Sequence, residues 1–490
     1  MNCQTVMRTC RTSTARSTTT SASLQNQNGS LSKTLFSTSH NKKRRTARHS
    51  SDPLGLCPKG LEFECLQPLQ IMEKTMSRYS PVNDQGKWLA LCLCFLATVA
   101  IFIPYVGYST QIVTMMTDLN MTYTMVGTLA SASAVAGGII LPFAGILVDR
   151  WGAKKITVLG LLISAIGQVA FAYVPSFEAM LMSRIFLGAG IPLLFIGPYT
   201  LALRWFEQSG KTGVAMGAML ATDGIGTLLA LYAYSHLLNA YGWRDGSALG
   251  AIALVVTMLV SLFFLKEPRH FATPATQAEI GKSSVIRDFM AALIHRNVLV
   301  AAVFLVGVWG SYAVAIYWVP TILMEENGWS ESDAGLIGAL YPLVGMICAV
   351  TFGLMSDRLG RRKPLMLISG VGMTVAFFGC AAALSMKNYP LLAGMLPISG
   401  LFAYGGIPLA YCLAADSVGI KLAATANGII MSLGFLLGGV VYPMVLGMIK
   451  DVTGQYTDGF IAASVSLVVL NIVAILFARE HVATARPAYS

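Results

Sequence analysis

Charge is what this 490-residue chain lacks most: 12% of it is Asp, Glu, Lys or Arg, 55% is apolar, and mean hydropathy is +0.64. A soluble domain carries about a quarter charged residues, so a body facing water on every side is excluded. Cys and His are scarce too, and none of the 9 cysteines forms a C-x-x-C pair or a His/Cys cluster with metal-ligand spacing. Cys3, Cys10, Cys57 and Cys65 lie in the amino-terminal tail. Cys92, Cys94, Cys348, Cys380 and Cys412 lie in apolar stretches and read as free thiols packed like small apolar residues. No nucleophile–base pair or phosphate-binding glycine loop is visible, and GAGIPLL (Gly188–Leu194) reads as helix-packing glycine. An enzyme is therefore not expected, nor any cofactor or metal. The net charge of +11 would suit nucleic acid, but the basic residues sit in short loops between apolar runs and exclude that partner.

What is present is long apolar segments. Twelve approach the ~20 residues that a hydrocarbon core requires: about 88–112, 122–148, 156–174, 179–203, 211–238, 246–265, 298–320, 333–356, 365–385, 391–414, 423–447 and 459–478. Gly and Pro recur inside them, as in IPLLFIGP (Ile191–Pro198), which bundled membrane helices tolerate because neighbours satisfy the freed backbone groups. The alternation of a β-barrel is absent. The expectation is an all-α membrane protein of 12 helices.

One string occurs almost twice. GILVDRWGAKK (Gly145–Lys155) and GLMSDRLGRRK (Gly353–Lys363) both stand where a second span gives way to a third. An internal copy at a fixed offset marks a duplicated architecture, and in an apolar helical chain it points to a two-halved transporter. The doubled G-x-x-x-D-R-x-G loop resembles the signature of the major facilitator superfamily over roughly residues 88 to 480. The resemblance implies two pseudo-symmetric six-helix bundles, 88–265 and 298–478, joined by a cytoplasmic linker over 266–297, with a tail at 479–490. It also implies a monomer that moves a small solute by alternating access, with protons as the coupling ion.

Orientation follows from lysine and arginine. With a cytoplasmic amino terminus, the inner loops hold Arg150, Lys154, Lys155, Arg204, Lys211, Lys266, Arg269, Lys282, Arg287, Arg296, Arg358, Arg361, Arg362, Lys363, Lys421, Arg479 and Arg486. The outer loops hold only Arg244, Lys387 and Lys450. That bias places both termini inside, in a plasma or inner membrane. The linker reads as a tether with a short amphipathic helix near SSVIRDFMAALIHR, where lipid-surface anchoring is the lesser reading. Residues 1–80 are Ser/Thr/Arg-rich, and no Asp or Glu precedes Asp52. Such a segment buries no core. It reads first as an overcalled start, with translation from Met72 or Met76. A transit peptide to an organelle and a lipid-hugging basic tail are the alternatives.

Candidate functional residues fall into three groups. Gly145 and Gly353 permit close helix approach. Asp149 and Asp357 stand at the membrane edge, where a carboxylate can face the positive end of a helix for ~0.3–1 kcal/mol. In the resembled family this loop latches the halves on the cytoplasmic side, a role that passes to Gly145, Asp149, Arg150, Gly152, Gly353, Asp357, Arg358 and Gly360. Within the membrane stand two ions, Arg184 in the fourth span and Asp223 in the fifth. Each costs at least ~2.5 kcal/mol on insertion scales unless partnered or hydrated. At ~1.5 Å per residue their heights differ by only a few ångströms, so the expectation is a hydrogen-bonded or water-bridged pair. A static pair that fixes helix packing is the plainer reading of it. A desolvated carboxylate beside arginine is a natural proton carrier. An arginine at this place also resembles the family's motif linked to proton coupling, and Arg184 could instead meet a substrate carboxylate. AMG (Ala215–Gly217) aligns with ANG (Ala426–Gly428), which sets Asp223 opposite Gly434, so the second half has no counterpart charge.

The third group is aromatic. Helices one, four, seven and ten line the cavity in the resembled fold, and here they offer Tyr105, Tyr108, Gln111, Phe195, Tyr199, Trp309, Tyr312, Tyr404 and Tyr411. Aromatic walls with hydroxyl tips suit an organic solute bearing one or two polar groups. Tyr317 and Trp318, just before Pro320, read instead as interfacial belt. Span five lacks the G-P-x-x-G string of drug/proton antiporters, while RWF (Arg204–Phe206) with GWR (Gly242–Arg244) resembles organic-anion and monocarboxylate uptake branches. The acidic-aromatic opening of monocarboxylate carriers is missing. Proton-linked uptake of a small organic anion is the leading reading. An efflux antiporter of hydrophobic compounds and a non-transporting membrane sensor are the alternatives.

Overall fold

The computed structural model describes residues 84–209, 211–268 and 282–480. The 1–80 extension, with its start-site, transit and lipid readings and its four cysteines, lies outside them, as do linker residues 269–281 and tail residues 481–490. Every regular element among the described residues is helical. The helices long and apolar enough to cross a membrane are α1 (Gly86–Leu119), α2 (Tyr123–Trp151), α3 (Ala153–Ala172), α4 (Phe177–Phe206), a double-length segment (Thr212–Phe264), α7 (Arg296–Asn327), α8 (Glu331–Leu359), α9 (Lys363–Ser385), α10 (Tyr389–Val418), α11 (Leu422–Thr453) and α12 (Tyr456–Phe477).

The stretch Thr212–Phe264 is two helices meeting at a turn, which falls where the break between spans five and six is expected. At 53 residues it would run ~80 Å if straight, far beyond a ~30 Å core, so it crosses twice. The reversal is made at Gly242 (φ 79°, ψ 161°), a conformation that only glycine adopts freely. Residues 212–241 and 243–264 are hereafter α5 and α6, giving twelve crossings. In the linker, Lys282–Leu293 forms the expected short helix.

Four helices that start on the same side carry a side-chain N-cap: Thr122 for α2, Ser176 for α4, Ser330 for α8 and Asn388 for α10. The opposite side, bearing the duplicated loops, is called here the basic face and the capped side the far face. The two loops turn at Gly152 (φ 90°) and Gly360 (φ 62°). A device invisible as a motif finishes them: Glu267, just past α6, accepts from the Lys154 backbone N–H at 3.1 Å, and Glu480, just past α12, accepts from that of Lys363 at 3.3 Å. Each half thus caps the start of its third helix with a glutamate following its sixth.

The central helices are not uniform α-helix. α1 carries Pro104 and tightens into a 3-10 turn at Gly107–Gln111. α5, α7 and α11 each widen into a π-segment, at Leu229–Ala233, Val314–Trp318 and Gly434–Gly439. Such interruptions free backbone groups and concentrate at functional places.

The halves, α1–α6 and α7–α12, meet tightly on the far side of the midplane. A Cβ on Gly127 of α2 would fall 2.9 Å from Met444 Cα of α11, and one on Gly224 of α5 would lie 3.0 Å from Leu343 Cα of α8. Ser131 donates to the Val440 carbonyl at 2.7 Å and Ser432 to that of Gly138 at 2.6 Å, both between α2 and α11. Toward the basic face the same helices part: a Cβ at Gly145, Gly213, Gly217 or Gly353 would meet nothing within 4 Å.

Candidate functional site

The far face is closed by an ionic and aromatic seal. Asp451 at the end of α11 accepts from the backbone N–H groups of Tyr123 (3.0 Å) and Thr124 (2.7 Å) and from the Thr124 hydroxyl (2.5 Å), capping α2 of the other half. Glu325 of α7 accepts from Tyr123 at 3.2 Å and Tyr456 at 2.5 Å. Lys450 reaches Glu326 at 3.7 Å and stands over the Tyr456 ring at 3.8 Å. Between α1, α5 and α8, Gln111 donates to Asn239 at 2.7 Å, and Asn239 to Glu331 at 3.2 Å.

Tyr317 and Trp318 belong to this seal, which overturns the belt reading. Both are buried: the Tyr317 ring lies 5.7 Å from Tyr108 and 6.4 Å from Tyr105, and Trp318 donates to the Pro443 carbonyl at 3.2 Å. The π-segment that holds both residues shifts the helical phase of α7 and turns them inward. Spacing from Pro320 could not register that shift.

Arg184 and Asp223 are not paired, which corrects the second expectation. Arg184, 0% exposed, donates to the carbonyls of Pro104 and Tyr105, both at 2.6 Å, and lies 4.1 Å over the Tyr108 ring. The physical reason is the break in α1. The last four carbonyls of a helix lack intrahelical donors, and where α1 tightens these oxygens draw the guanidinium, a cation suited to a helix carboxyl end. Asp223 turns to the other half, accepting from Tyr404 of α10 at 2.5 Å, and Tyr312 of α7 reaches the same carboxylate. Tyr312 also meets Thr227 at 3.5 Å. Heights counted along two helices agreed, but the side chains face different neighbours.

Tyr105, Tyr108 and Gln111 are buried within the far seal, whereas Trp309, Tyr312 and Tyr404 gather at mid-membrane. Rings continue from them across the interface: Trp309 to Phe435 of α11 at 4.6 Å, Phe435 to Phe195 of α4 at 6.4 Å, Phe195 to Phe102 of α1 at 6.0 Å. Phe435 was missed from the sequence because its helix lies outside the set expected to line the cavity. Tyr199, partly exposed, donates to the Met219 carbonyl at 2.6 Å.

On the basic face the loop carboxylates are solvent-facing, with side-chain exposures of 74% for Asp149 and 68% for Asp357. Each has an ion-pair partner in its own half: Arg204 at 3.5 Å from Asp149, and Arg362 at 2.6 Å from Asp357 and 3.4 Å from Asp416. Burial works against the charge of Arg362, but the Asp357 bond and nearby carboxylates outweigh it and hold the group above its ordinary value. Arg150 and Arg358 are exposed.

The helical pattern and doubled loop have known counterparts. A family model of the Major Facilitator Superfamily matches residues 90–325 and again 308–489. The chain is 23% identical over 385 residues to a nitrite extrusion protein of Bacillus subtilis, covering 77% of this chain and 91% of that one. It is 26% identical over 390 residues to a probable sulfoacetate transporter of Cupriavidus necator, covering 76% and 90%. Among solved structures, a bacterial homolog of the lysosomal transporter Spinster, in an inward-facing and unoccupied conformation, superposes with a TM-score of 0.66 at 16% identity, covering 81% and 98%.

Proposed function

Since the chain belongs to the major facilitator superfamily and is a multi-pass membrane transporter rather than an enzyme, we propose that it takes up a small organic anion together with a proton by alternating access. The observation that carries this reading is the separation of Arg184 from Asp223. Arg184 is a desolvated cation held by two carbonyl dipoles and the ring faces of Tyr108 and Phe171, while Asp223 faces the partly open midplane. With Asp223 ionised the two charges cancel across the centre. Protonation removes the negative charge that would repel an anion and leaves the site net positive, so proton and anion favour each other's binding.

In this reading the basic face is cytoplasmic, as the positive-inside bias supports; the structure is then an inward-facing state, and the chain works as a monomer in the plasma or inner membrane. Ionised Asp223 ties α5 to α10 through the Tyr404 hydroxyl, with Tyr312 of α7 as ring-neighbour of Tyr404. Protonating it weakens that tie and couples the load to the rocking of the halves. In the opposite state Gly145, Asp149, Arg150 and Gly152, with Gly353, Asp357, Arg358 and Gly360, form the cytoplasmic latch. Opening of the far seal then exposes Tyr105, Tyr108 and Gln111 to the entering solute, and Tyr199 guards the exit. The similarity to transporters of nitrite and sulfoacetate supports an anionic load.

The test is uptake by the purified chain in lipid vesicles of a labelled panel: sulfoacetate, lactate, succinate, benzoate, xylose and alanine. An inside-alkaline pH gradient is expected to drive one or more anions inward, with collapse on adding a protonophore. Gradient-driven uptake confined to xylose or alanine would sink the anion reading.

A further inference from the structure

A series of rings crosses the midplane of this transporter from one half to the other. Phe102, Phe195, Phe435, Trp309, Tyr312 and Tyr404 form an unbroken series with successive centroids 6.0, 6.4, 4.6, 5.4 and 6.5 Å apart. Two of its members, Phe195 and Trp309, remain partly exposed although they lie at the centre. The Trp309 Nε1–H is buried without a hydrogen-bond partner, and the indole edge occupies the space left by Gly434: a Cβ there would lie 2.6 Å from Trp309 Cδ1. Gly434 is the position matching Asp223 in the other half. One half therefore supplies a carboxylate at that level and the other supplies an aromatic face.

Resting on the reading of this site as an anion–proton binding centre, we propose that the solute is a planar aromatic carboxylate. Its ring seats against Trp309 and Phe195, and its carboxylate takes the hydroxyls of Tyr312 and Tyr404. The chemistry of the site is matched to such a molecule in both parts. Aromatic rings prefer edge-to-face and offset contacts with a planar partner, over and above the area that they bury. A saturated ring of the same size has neither the flat face nor the polarised edge. The hydroxyl donors stand beside the ring platform, since Tyr312 is ring-neighbour to both Trp309 and Tyr404, so a carboxyl group attached directly or through one carbon reaches them. Protonation of Asp223 loosens its hold on the Tyr404 hydroxyl, and the solute's own carboxylate replaces it as acceptor, with the Tyr312 hydroxyl, which meets Thr227 at 3.5 Å, as the second donor. The load is thus singly charged and compact, and a chain of aliphatic methylenes would leave the ring faces unmatched.

The experiment uses the full chain in lipid vesicles under an inside-alkaline gradient, with labelled benzoate as the probe. Unlabelled cyclohexanecarboxylate, lactate and benzylamine compete. Benzoate is expected to be accumulated faster than in protein-free vesicles, which the undissociated acid enters unaided, and this excess to be displaced roughly tenfold less well by cyclohexanecarboxylate than by benzoate itself, and negligibly by lactate. Trp309→Leu should erase the difference between the two ring acids, while Trp309→Phe, which keeps a ring, should retain most of it. Equal competition by cyclohexanecarboxylate, or stronger competition by lactate, would overturn the aromatic assignment and leave proton-linked anion uptake standing. Failure to accumulate any anion would remove that reading and this inference together. Displacement by benzylamine in preference to the acids would reverse the charge assigned to the solute. The wild-type competition decides between these outcomes even where a variant does not fold.

Discussion

Replacing Asp223 by asparagine is expected to abolish pH-gradient-driven accumulation while sparing exchange of solute for solute. The substitution is close to isosteric, so packing of α5 against α10 survives, although the Tyr404 hydroxyl that meets the carboxylate at 2.5 Å is held less firmly by an amide. What is lost is the ability to gain and lose a proton. For an anion moved with one proton, each pH unit supplies about 1.4 kcal/mol, a roughly tenfold accumulation. In Asp223→Asn that ratio should fall to about one. Exchange needs only binding and rocking and should continue, since the neutral amide mimics the protonated state that favours an anion. Labelled efflux into medium with and without unlabelled solute measures the second arm. Intact gradient-driven uptake in the variant would show that the proton rides elsewhere.

A valine at Gly127 is expected to block closure of the far face and with it transport. In this structure the Cβ would press on the backbone of Pro443 and Met444, and backbone cannot swing aside as a side chain can. Overpacking of this kind costs ~1–3 kcal/mol, which shifts a two-state balance roughly 5- to 150-fold away from the closed far face. Uptake should fall in proportion. A cysteine placed by Ser131→Cys, in a background without other cysteines, reports the state: Ser131 is buried against α11 and should become reactive to an impermeant maleimide from the far side in the Gly127→Val variant. A valine at Gly145, where nothing lies within 4 Å, meets no clash in this state and should leave Ser131→Cys protected. Equal labelling in both backgrounds would refute the assignment of the two faces.

The class of fold was legible because it follows from length, hydropathy and a repeat, none of which depends on which way a side chain points. The duplicated loop and the span positions belong to that category. Residues whose meaning depends on helical phase were not legible. Arg184 and Asp223 agree in height along their helices, yet the break in α1 offers Arg184 two carbonyls and turns the pairing aside. Distance from Pro320 places Tyr317 and Trp318 near the surface, but both lie in a π-segment whose residues are buried in the seal. Glu267 and Glu480 did leave a signal, each following the last apolar helix of its half by a few residues, and a search for duplicated acidic residues would have found them. Asp451 left none, because a cap supplied by the other half of the molecule has no local pattern.

The most direct test of proton-linked anion uptake is a pH trace. Unlabelled substrate anion is added to vesicles holding the purified chain without any imposed gradient, and the pH of the medium is followed as the anion enters. Symport predicts alkalinisation in step with entry, absent when Asp223→Asn vesicles are used. Acidification on entry, or entry with no change in pH, would contradict it.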